Sequence, residues 1–179
     1  MKIVGLDLSL TSTGVAVIAG RHAAVDRIQT KPDHDDLHGR HNRLRRIVAN
    51  VASWTDGADL VVIEGLAYAA RSPHATERAG LWWLVIDRIV QHVDAVAVVP
   101  PTTRAKYATG KGNAGKDQVL AAVIRRHPTV DITGNDEADA LILAAMGARH
   151  LGHPIDDVPA THLAAMNGGQ WPDLEELAA

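Results

Sequence analysis

The sequence contains no cysteine and no phenylalanine, and its aromatic residues are two tyrosines and four tryptophans among 179 residues. The absence of cysteine excludes a disulfide scaffold, a thiolate zinc site and a cysteine nucleophile, and it agrees with a reducing compartment. No apolar run approaches the roughly 20 residues of a transmembrane helix, so no membrane partner is expected. A secretory signal is not expected either, because Asp7 interrupts the apolar stretch that follows Lys2.

Apolar residues make up 46% of the chain and charged residues 22%, which predicts a packed aliphatic core and excludes wholesale disorder. Positive charge is concentrated in two clusters that suit a phosphate backbone, although solvated helix faces would have the same pattern. The clusters are Arg40, Arg43, Arg45 and Arg46, and Arg104, Lys106, Lys111, Lys116, Arg125 and Arg126. The last basic residue is Arg149, and five acidic residues follow it.

The order of apolar segments predicts three strands in a meander and then strands that alternate with helices. The predicted strands are 2–8, 13–19, 21–30, 60–63 and 94–99, the predicted helices are 33–54, 72–93, 116–127 and 135–150, and the Gly- and Lys-rich stretch 107–115 is predicted as a mobile loop. This order predicts an α/β fold with a mixed sheet flanked by helices. We expect residues 1–153 to form the domain and residues 154–179 to form an acidic tail.

Acidic residues occur at three informative places. Asp7 lies within an otherwise apolar strand, where a carboxylate is costly unless it is paired or bound to a metal. Glu64 ends the apolar strand 60–63, and Asp136 and Asp139 are three residues apart on one helix face. Each has a purely structural alternative, because acids complement a helix N-terminus and Glu64 would also mark a strand end. A lone structural aspartate is the alternative for Asp7.

Taken together, the four carboxylates indicate a cation site. Acids on a first strand, a central strand and a late helix can converge at one end of one sheet, where they would repel one another unless cations were bound. Oxygen ligands without histidine or cysteine suit Mg²⁺ or Mn²⁺. Two such ions form the arrangement for in-line phosphodiester hydrolysis.

The order of a strand Asp, a turn, a Gly, a strand Glu and a helical Asp-x-x-Asp-Ala-Leu resembles the RuvC family of Holliday junction resolvases, within the RNase H-like superfamily. The resemblance covers about residues 1–150. The residues that match are Asp7, Gly14, Glu64, Asp136 and Asp139, with Lys116 resembling the lysine that opens the penultimate helix and Lys106 the basic residue after the fifth strand. It implies an RNase H-like five-stranded sheet, three antiparallel strands followed by parallel ones.

The resemblance also implies an endodeoxyribonuclease that resolves four-way junctions by paired symmetric nicks, leaving a 5′-phosphate and a 3′-hydroxyl. Asp7 would bridge two Mg²⁺ ions, for which Mn²⁺ would substitute, and the other acids would complete their shells. Lys116 would stabilise charge on the phosphate. Arg104, Lys106 and Lys111 would hold the DNA backbone, and Tyr68 would stack on an unpaired base or serve as an ordinary surface or core residue.

A four-way junction has two-fold symmetry, so two symmetric nicks predict a C2 homodimer. The apolar helix that carries Trp82 and Trp83 would supply the dimer face, and packing of these residues in the core is the alternative.

The sequence also departs from the family pattern. Asp7-Leu8-Ser9 stands where the bacterial form usually has Asp-Pro-Gly, and Ala67 stands where the family has a junction-wedging aromatic. These differences indicate a divergent branch such as a phage-type resolvase, acting in the bacterial cytoplasm. We therefore do not carry over the family's junction selectivity or its cleavage-sequence preference.

Several other functions are weighed against this one. The stretch 110–117 fits a P-loop except that Asp117 stands where a P-loop needs Ser or Thr, and its strand ends about ten residues earlier. An actin-like sugar kinase is disfavoured because it needs two domains and 179 residues is too short for them. A junction binder without activity is disfavoured because it would lack one of the acids, and all four are present. The main alternative is a related nuclease that cuts flaps, forks or RNA–DNA hybrids.

Overall fold

The computed structural model describes residues 1–66 and 74–173 of the chain. The strands are β1 (Lys2–Asp7), β2 (Ser12–Ala19), β3 (His22–Gln29), β4 (Leu60–Glu64) and β5 (Val96–Val99). The helices are α1 (Leu37–Thr55), α2 (Ala75–Ile89), α3 (Pro101–Thr109), α4 (Lys116–Arg126), α5 (Asn135–His150) and α6 (Ala160–Leu163), followed by a 3₁₀ helix at Ala164–Gly168. None of the helices in these residues is long and apolar enough to cross a membrane.

The strands form one mixed sheet in the order β3-β2-β1-β4-β5. β1 pairs antiparallel with β2, β2 pairs antiparallel with β3, and the β1–β4 and β4–β5 pairs are parallel. The central strands β1 and β4 are apolar and buried on both faces, as parallel strands covered by helices should be. The predicted fold, a five-stranded mixed sheet flanked by helices, is confirmed.

Helices cover both faces of the sheet. One buried cluster joins the sheet to α3, α4 and α5, and the other joins it to α1 and α2. α5 is buried along almost its whole length and packs on β1 and β2. Two glycines allow this close approach: a Cβ at Gly5 would lie 2.1 Å from the carbonyl oxygen of Ala140, and one at Gly14 would lie 1.9 Å from that of Asp136.

The main difference from the predicted elements lies in the stretch 107–115, which we predicted as a loop. Its first three residues belong to α3, and the loop begins only at Gly110. Pro101 at the first helical position favours a helix start there, and Gly110 ends the helix with a φ of 81°. The glycines from Gly110 onwards do interrupt helical structure, but only after the end of α3.

The first and second predicted helices also begin later than the periodicity indicates. Helix 33–54 was predicted from its apolar spacing, whereas α1 begins after Asp36, whose side chain accepts a hydrogen bond from the Gly39 amide at 2.7 Å. Helix 72–93 was predicted to begin before α2 does, and its first two positions lie outside the described residues. α2 ends at Ile89.

The described part of the segment predicted as a tail contacts the domain. The side chain of Asp156 accepts hydrogen bonds from the Tyr107 hydroxyl at 2.8 Å and from Arg149 Nη2 at 3.0 Å. Gln170 forms an antiparallel bridge with Val98 of β5. The boundary at residue 153 stays a prediction, and residues 174–179 lie outside the described part of the chain.

Candidate active site

The four predicted acids meet at one edge of the sheet. Asp7 ends β1 and Glu64 ends the neighbouring parallel strand β4, so both lie at the carboxyl ends of paired strands. Gly14 lies opposite Asp7 in the β1–β2 register, and the backbone of Asp136 rests directly on Gly14. The close packing of α5 on that glycine therefore brings Asp136, and Asp139 one turn further on, to the ends of the two strands.

The acids influence one another electrostatically. Burial raises the pKa of Asp7 well above its usual range, and the negative charges of Glu64 and Asp139 raise it further. Burial also raises the pKa of Asp139, to about 6, although the positive charge of Arg104 opposes the shift. The site therefore disfavours its own negative charge unless a cation compensates it.

Arg104 on α3 lies inside this acidic site. Its Nε donates a hydrogen bond to Oε2 of Glu64, and its Nη1 donates to Oδ1 of Asp139. Only 8% of the residue is exposed, and although burial lowers the pKa of Arg104, the attraction of Glu64 and Asp139 outweighs that effect and raises it. From the sequence we predicted only a DNA contact for Arg104, and this contact stays a prediction. Neither of the two ion pairs was predicted.

The sequence does indicate that Arg104 lies near Glu64, although it does not indicate the two ion pairs. Arg104 follows the end of β5 by only five residues, and β5 is the parallel neighbour of β4. One turn of helix after that strand end returns a side chain to the same edge of the sheet as Glu64.

Lys116, the predicted lysine of the site, begins α4. Its positive charge lowers the pKa of Asp139, so the lysine lies within electrostatic reach of the acids. The side chain of Gln118 accepts a hydrogen bond from the Gly115 amide at 3.1 Å, which fixes the start of the helix that carries the lysine. The catalytic role of Lys116 stays a prediction.

The predicted DNA-binding residues differ in exposure. Lys106 is half-buried on α3, and Lys111 is exposed on the loop between α3 and α4. Lys111 also lines a cavity of about 700 Å³ together with Arg125 and Arg126. Tyr68, together with Ala67 at the position of the family's aromatic, lies outside the described residues.

A second cavity, of about 900 Å³, opens beside Asp7 and Glu64 and was not predicted. Its lining includes Trp82 and Gln170. The Trp82 indole donates a hydrogen bond to the backbone carbonyl of Glu64 at 2.9 Å, so α2 helps to fix the end of β4 that carries the acid.

Comparison with known proteins decides the family. The family model described as "Crossover junction endodeoxyribonuclease RuvC" matches residues 3–147. The chain belongs to this family. The match spans both strand acids and both helical acids, which confirms the resemblance inferred from their order and the class of enzyme that it implied.

Curated relatives of the RuvC family agree with this assignment. A "Crossover junction endodeoxyribonuclease RuvC" of Acidiphilium cryptum is 31% identical over 159 residues, which cover 84% of this chain and 92% of the relative. One from Rickettsia bellii is 27% identical over 149 residues, which cover 80% of this chain and 94% of the relative.

Solved structures of the RuvC family share the fold. The RuvC structure of Thermus thermophilus matches with a TM-score of 0.67 at 20% identity, covering 88% of this chain and all of the other. The structure of T. thermophilus RuvC in complex with a Holliday junction substrate matches with a TM-score of 0.65 at 19% identity, covering 88% and 98%.

Membership of the RuvC family implies a divalent metal. The four acids fit such an ion chemically, because all of their donor atoms are carboxylate oxygens. Asp7 and Asp139 are also buried close to other negative charges, which a bound cation would compensate. Their side chains are not arranged as in a finished metal site: among residues 1–66 and 74–173, no group of three or more acidic or histidine side chains is positioned to hold a metal ion. Arg104 holds Glu64 and Asp139 instead.

Proposed function

We propose that this chain is a Mg²⁺-dependent, structure-selective endodeoxyribonuclease that resolves four-way DNA junctions by paired symmetric nicks. The observation that carries the proposal is the convergence of Asp7, Glu64, Asp136 and Asp139 at one sheet edge in a chain of the RuvC family. The bacterial relatives support a cytoplasmic location, and a phage origin stays a prediction.

The proposed metal ligands are these four carboxylates, which together would hold the two ions. When bound, two Mg²⁺ ions would activate a water molecule and stabilise the leaving 3′ oxygen, leaving a 5′-phosphate and a 3′-hydroxyl. Mn²⁺ would substitute, because it also prefers oxygen ligands. The anchoring of Asp7 and Glu64 on neighbouring buried strands keeps the ligands in place on a rigid part of the fold.

The basic residues beside the acids would bind the DNA backbone. Lys116 would reach the scissile phosphate and stabilise its developing charge, because it lies close enough to the acids to act on Asp139. The half-buried Lys106 and the exposed Lys111 would hold flanking phosphates. We retain a backbone contact for Arg104 and a stacking role for Tyr68 as parts of the same proposal.

The proposed assembly is a C2 homodimer, because a two-fold symmetric junction requires two equivalent sites. The proposed dimer face is α2, where Trp83 is 62% exposed and Leu84 is 44% exposed. The neighbouring Trp82 is half-buried and is tied to the carbonyl of Glu64. A dimer formed through α2 would thus connect its interface directly to the strand that carries one of the acids.

The proposal is tested by nicking assays on a labelled four-way junction, the matched linear duplex, a flap and an RNA–DNA hybrid, each with Mg²⁺ and with EDTA. We expect paired symmetric nicks in the junction with Mg²⁺ only. Asp7→Asn should lower the nicking rate by at least about 10³-fold, since loss of a group essential to the chemistry typically costs that much or more. It should leave junction binding intact, because the substitution changes no basic residue.

Three results would contradict part or all of this proposal. Equal or faster cleavage of the flap or the hybrid would keep the metal site but change the substrate to a broader range of nucleic acids. Nicking that persists in EDTA would exclude the metal. Junction binding without any cleavage would mean that the acids are structural.

A further inference from the structure

We propose that Arg104 is the internal counter-ion of the acidic site, and that divalent metal must displace its guanidinium from Glu64 and Asp139 before the site is complete. The inference rests on the proposed function, because it takes these carboxylates as metal ligands. It gives Arg104 a positioning role in the metal-free protein, before any contact with DNA.

The contacts of Arg104 are those of a cation that bridges ligands. One nitrogen of the guanidinium bonds to Glu64 at the end of β4, and another bonds to Asp139 on α5. A single planar group therefore joins two elements that approach from different layers of the fold. The side chain of Arg104 is 10% exposed, and those of Glu64 and Asp139 are 17% and 6% exposed, so the ion pairs are largely shielded from water.

The negative charges of the carboxylates explain why the metal-free site needs a cation. Asp7 also acts electrostatically on Arg104, and Asp136 acts on Asp7 and Asp139, so the acidic site combines four carboxylates with one guanidinium. Leaving buried carboxylates unpaired is strongly destabilising, whereas a fork of N–H donors satisfies two of them at once. The metal-free site is therefore held together by the arginine.

α3 holds Arg104 in this position. The Arg104 amide donates to the Pro100 carbonyl at 3.0 Å in the first turn of the helix, and the next residue, Ala105, is buried against the core. The backbone is thus fixed, and only the side chain can withdraw. A divalent ion that binds Glu64 and Asp139 would use the same two carboxylates that pair with the guanidinium, and its positive charge would repel the arginine, so the two cations compete.

The first test is the affinity for Mn²⁺, measured without DNA by electron paramagnetic resonance of the free ion. The variants are Arg104→Met and, as a matched control, Arg126→Met. Arg126 is also mostly buried, with a side chain that is 14% exposed. Its Nη1 lies 3.5 Å from Oδ2 of Asp156, and neither residue is one of the four acids or Arg104. Arg104→Met should bind Mn²⁺ at least about tenfold more tightly, because the ion no longer has to displace two charge-assisted hydrogen bonds and the loss of one alone matches about a tenfold ratio. Arg126→Met should bind like the wild type.

The second test is thermal unfolding in EDTA and in saturating Mn²⁺. Arg104→Met should lower the melting temperature mainly in EDTA and should recover most of the loss with Mn²⁺, because the ion replaces the missing charge. Arg126→Met should lower the melting temperature equally in both. If Arg104→Met does not fold in EDTA, adding Asp139→Asn should restore folding by removing one uncompensated charge.

Outcomes for Arg104 and for the metal site can be told apart. Equal or weaker Mn²⁺ binding by Arg104→Met, or equal loss of stability with and without Mn²⁺, would overturn the counter-ion role and leave the nuclease proposal intact. A wild type that binds no Mn²⁺ would overturn the metal site and the displacement of Arg104 by metal, whereas a larger loss of stability in EDTA by Arg104→Met than by Arg126→Met would still support the counter-ion. Arg104→Lys should bind Mn²⁺ with intermediate affinity, because it keeps the charge but lacks the fork.

Discussion

Asp139 is held in a state that works against the stability of the metal-free protein. Its pKa is about 6, against an ordinary value of 3.8, because burial and the neighbouring acids outweigh the attraction of Arg104. In the proposed site a bound cation would relieve this repulsion. Asp139 would then lower the stability of the metal-free protein in exchange for its function as a metal ligand.

This shift predicts how stability depends on pH in EDTA. Between about pH 4 and pH 6 the folded protein keeps a proton on Asp139 that the unfolded chain releases, so this residue lowers the free energy of unfolding as the pH rises through that window. Asp139→Asn should therefore be more stable than the wild type above pH 6, by roughly 2–3 kcal/mol at about 1.4 kcal/mol per pKa unit. The asparagine oxygen can still accept the hydrogen bond from Arg104.

Chemical unfolding at a series of pH values measures this difference. The advantage of Asp139→Asn should shrink towards zero as the pH falls below 4. An advantage that does not change with pH would contradict the assignment of the shift to Asp139. With saturating Mn²⁺ the order should reverse, because only the wild type gains the full stabilisation from the ion.

At the scale of elements, the site depends on how closely α5 approaches the sheet. Gly14 has no side chain, and the Asp136 carbonyl occupies the space that a Cβ would need. The positions of Asp136 and Asp139 thus depend on Gly14, a residue that has no reactive side chain. Any side chain at Gly14 must push α5 away from β1 and β2.

A pair of glycine substitutions tests this dependence. Gly14→Ala should lower the free energy of unfolding by roughly 1–3 kcal/mol or more, because a Cβ would lie 1.9 Å from a backbone oxygen. Gly80→Ala on the exposed face of α2 meets nothing within 4 Å and should raise the free energy of unfolding by about 0.5–1 kcal/mol. Urea unfolding compares the two, and a neutral Gly14→Ala would mean that α5 is free to shift.

The same elements show what the sequence could predict. Asp7 and Glu64 stood out because a carboxylate at the end of an apolar strand is unusual, and parallel pairing brings such ends together. The Asp136–Asp139 spacing placed both acids on one helix face. The pairing of Arg104 with two of these acids was not predicted, because it depends on the reach of one side chain across α3, β4 and α5. The span of α3 was misread as partly loop because the glycines beyond it dominated the local composition.

For the whole molecule, the exposed part of α2 provides the test of assembly. Trp83→Glu should convert the proposed dimer to a monomer, because a charge would replace a large exposed apolar side chain at the centre of the face. Ile124→Glu is the control, since Ile124 is 44% exposed on α4, outside the proposed face. Sedimentation at several protein concentrations measures the mass of each variant.

The dimer also predicts a change in the products. The monomeric Trp83→Glu protein should bind Mn²⁺ normally but should leave junctions with single, unpaired nicks. A Trp83→Glu variant that remains dimeric would place the interface elsewhere. A wild type that is monomeric at every concentration, yet makes paired nicks, would mean that the junction itself assembles the two copies.

The late place of α5 in the chain also has a consequence for biosynthesis. The ribosome delivers β1 and Asp7 first, but α5 enters only after about 130 further residues, and the apolar face of β1 and β2 that α5 covers lacks this helix until then. The nascent chain therefore exposes that face until α5 is made, which is the situation in which chaperones engage a polypeptide. A chain that has not yet been extended to α5 also lacks two of the four acids, so the proposed nuclease site cannot form before α5 is synthesised.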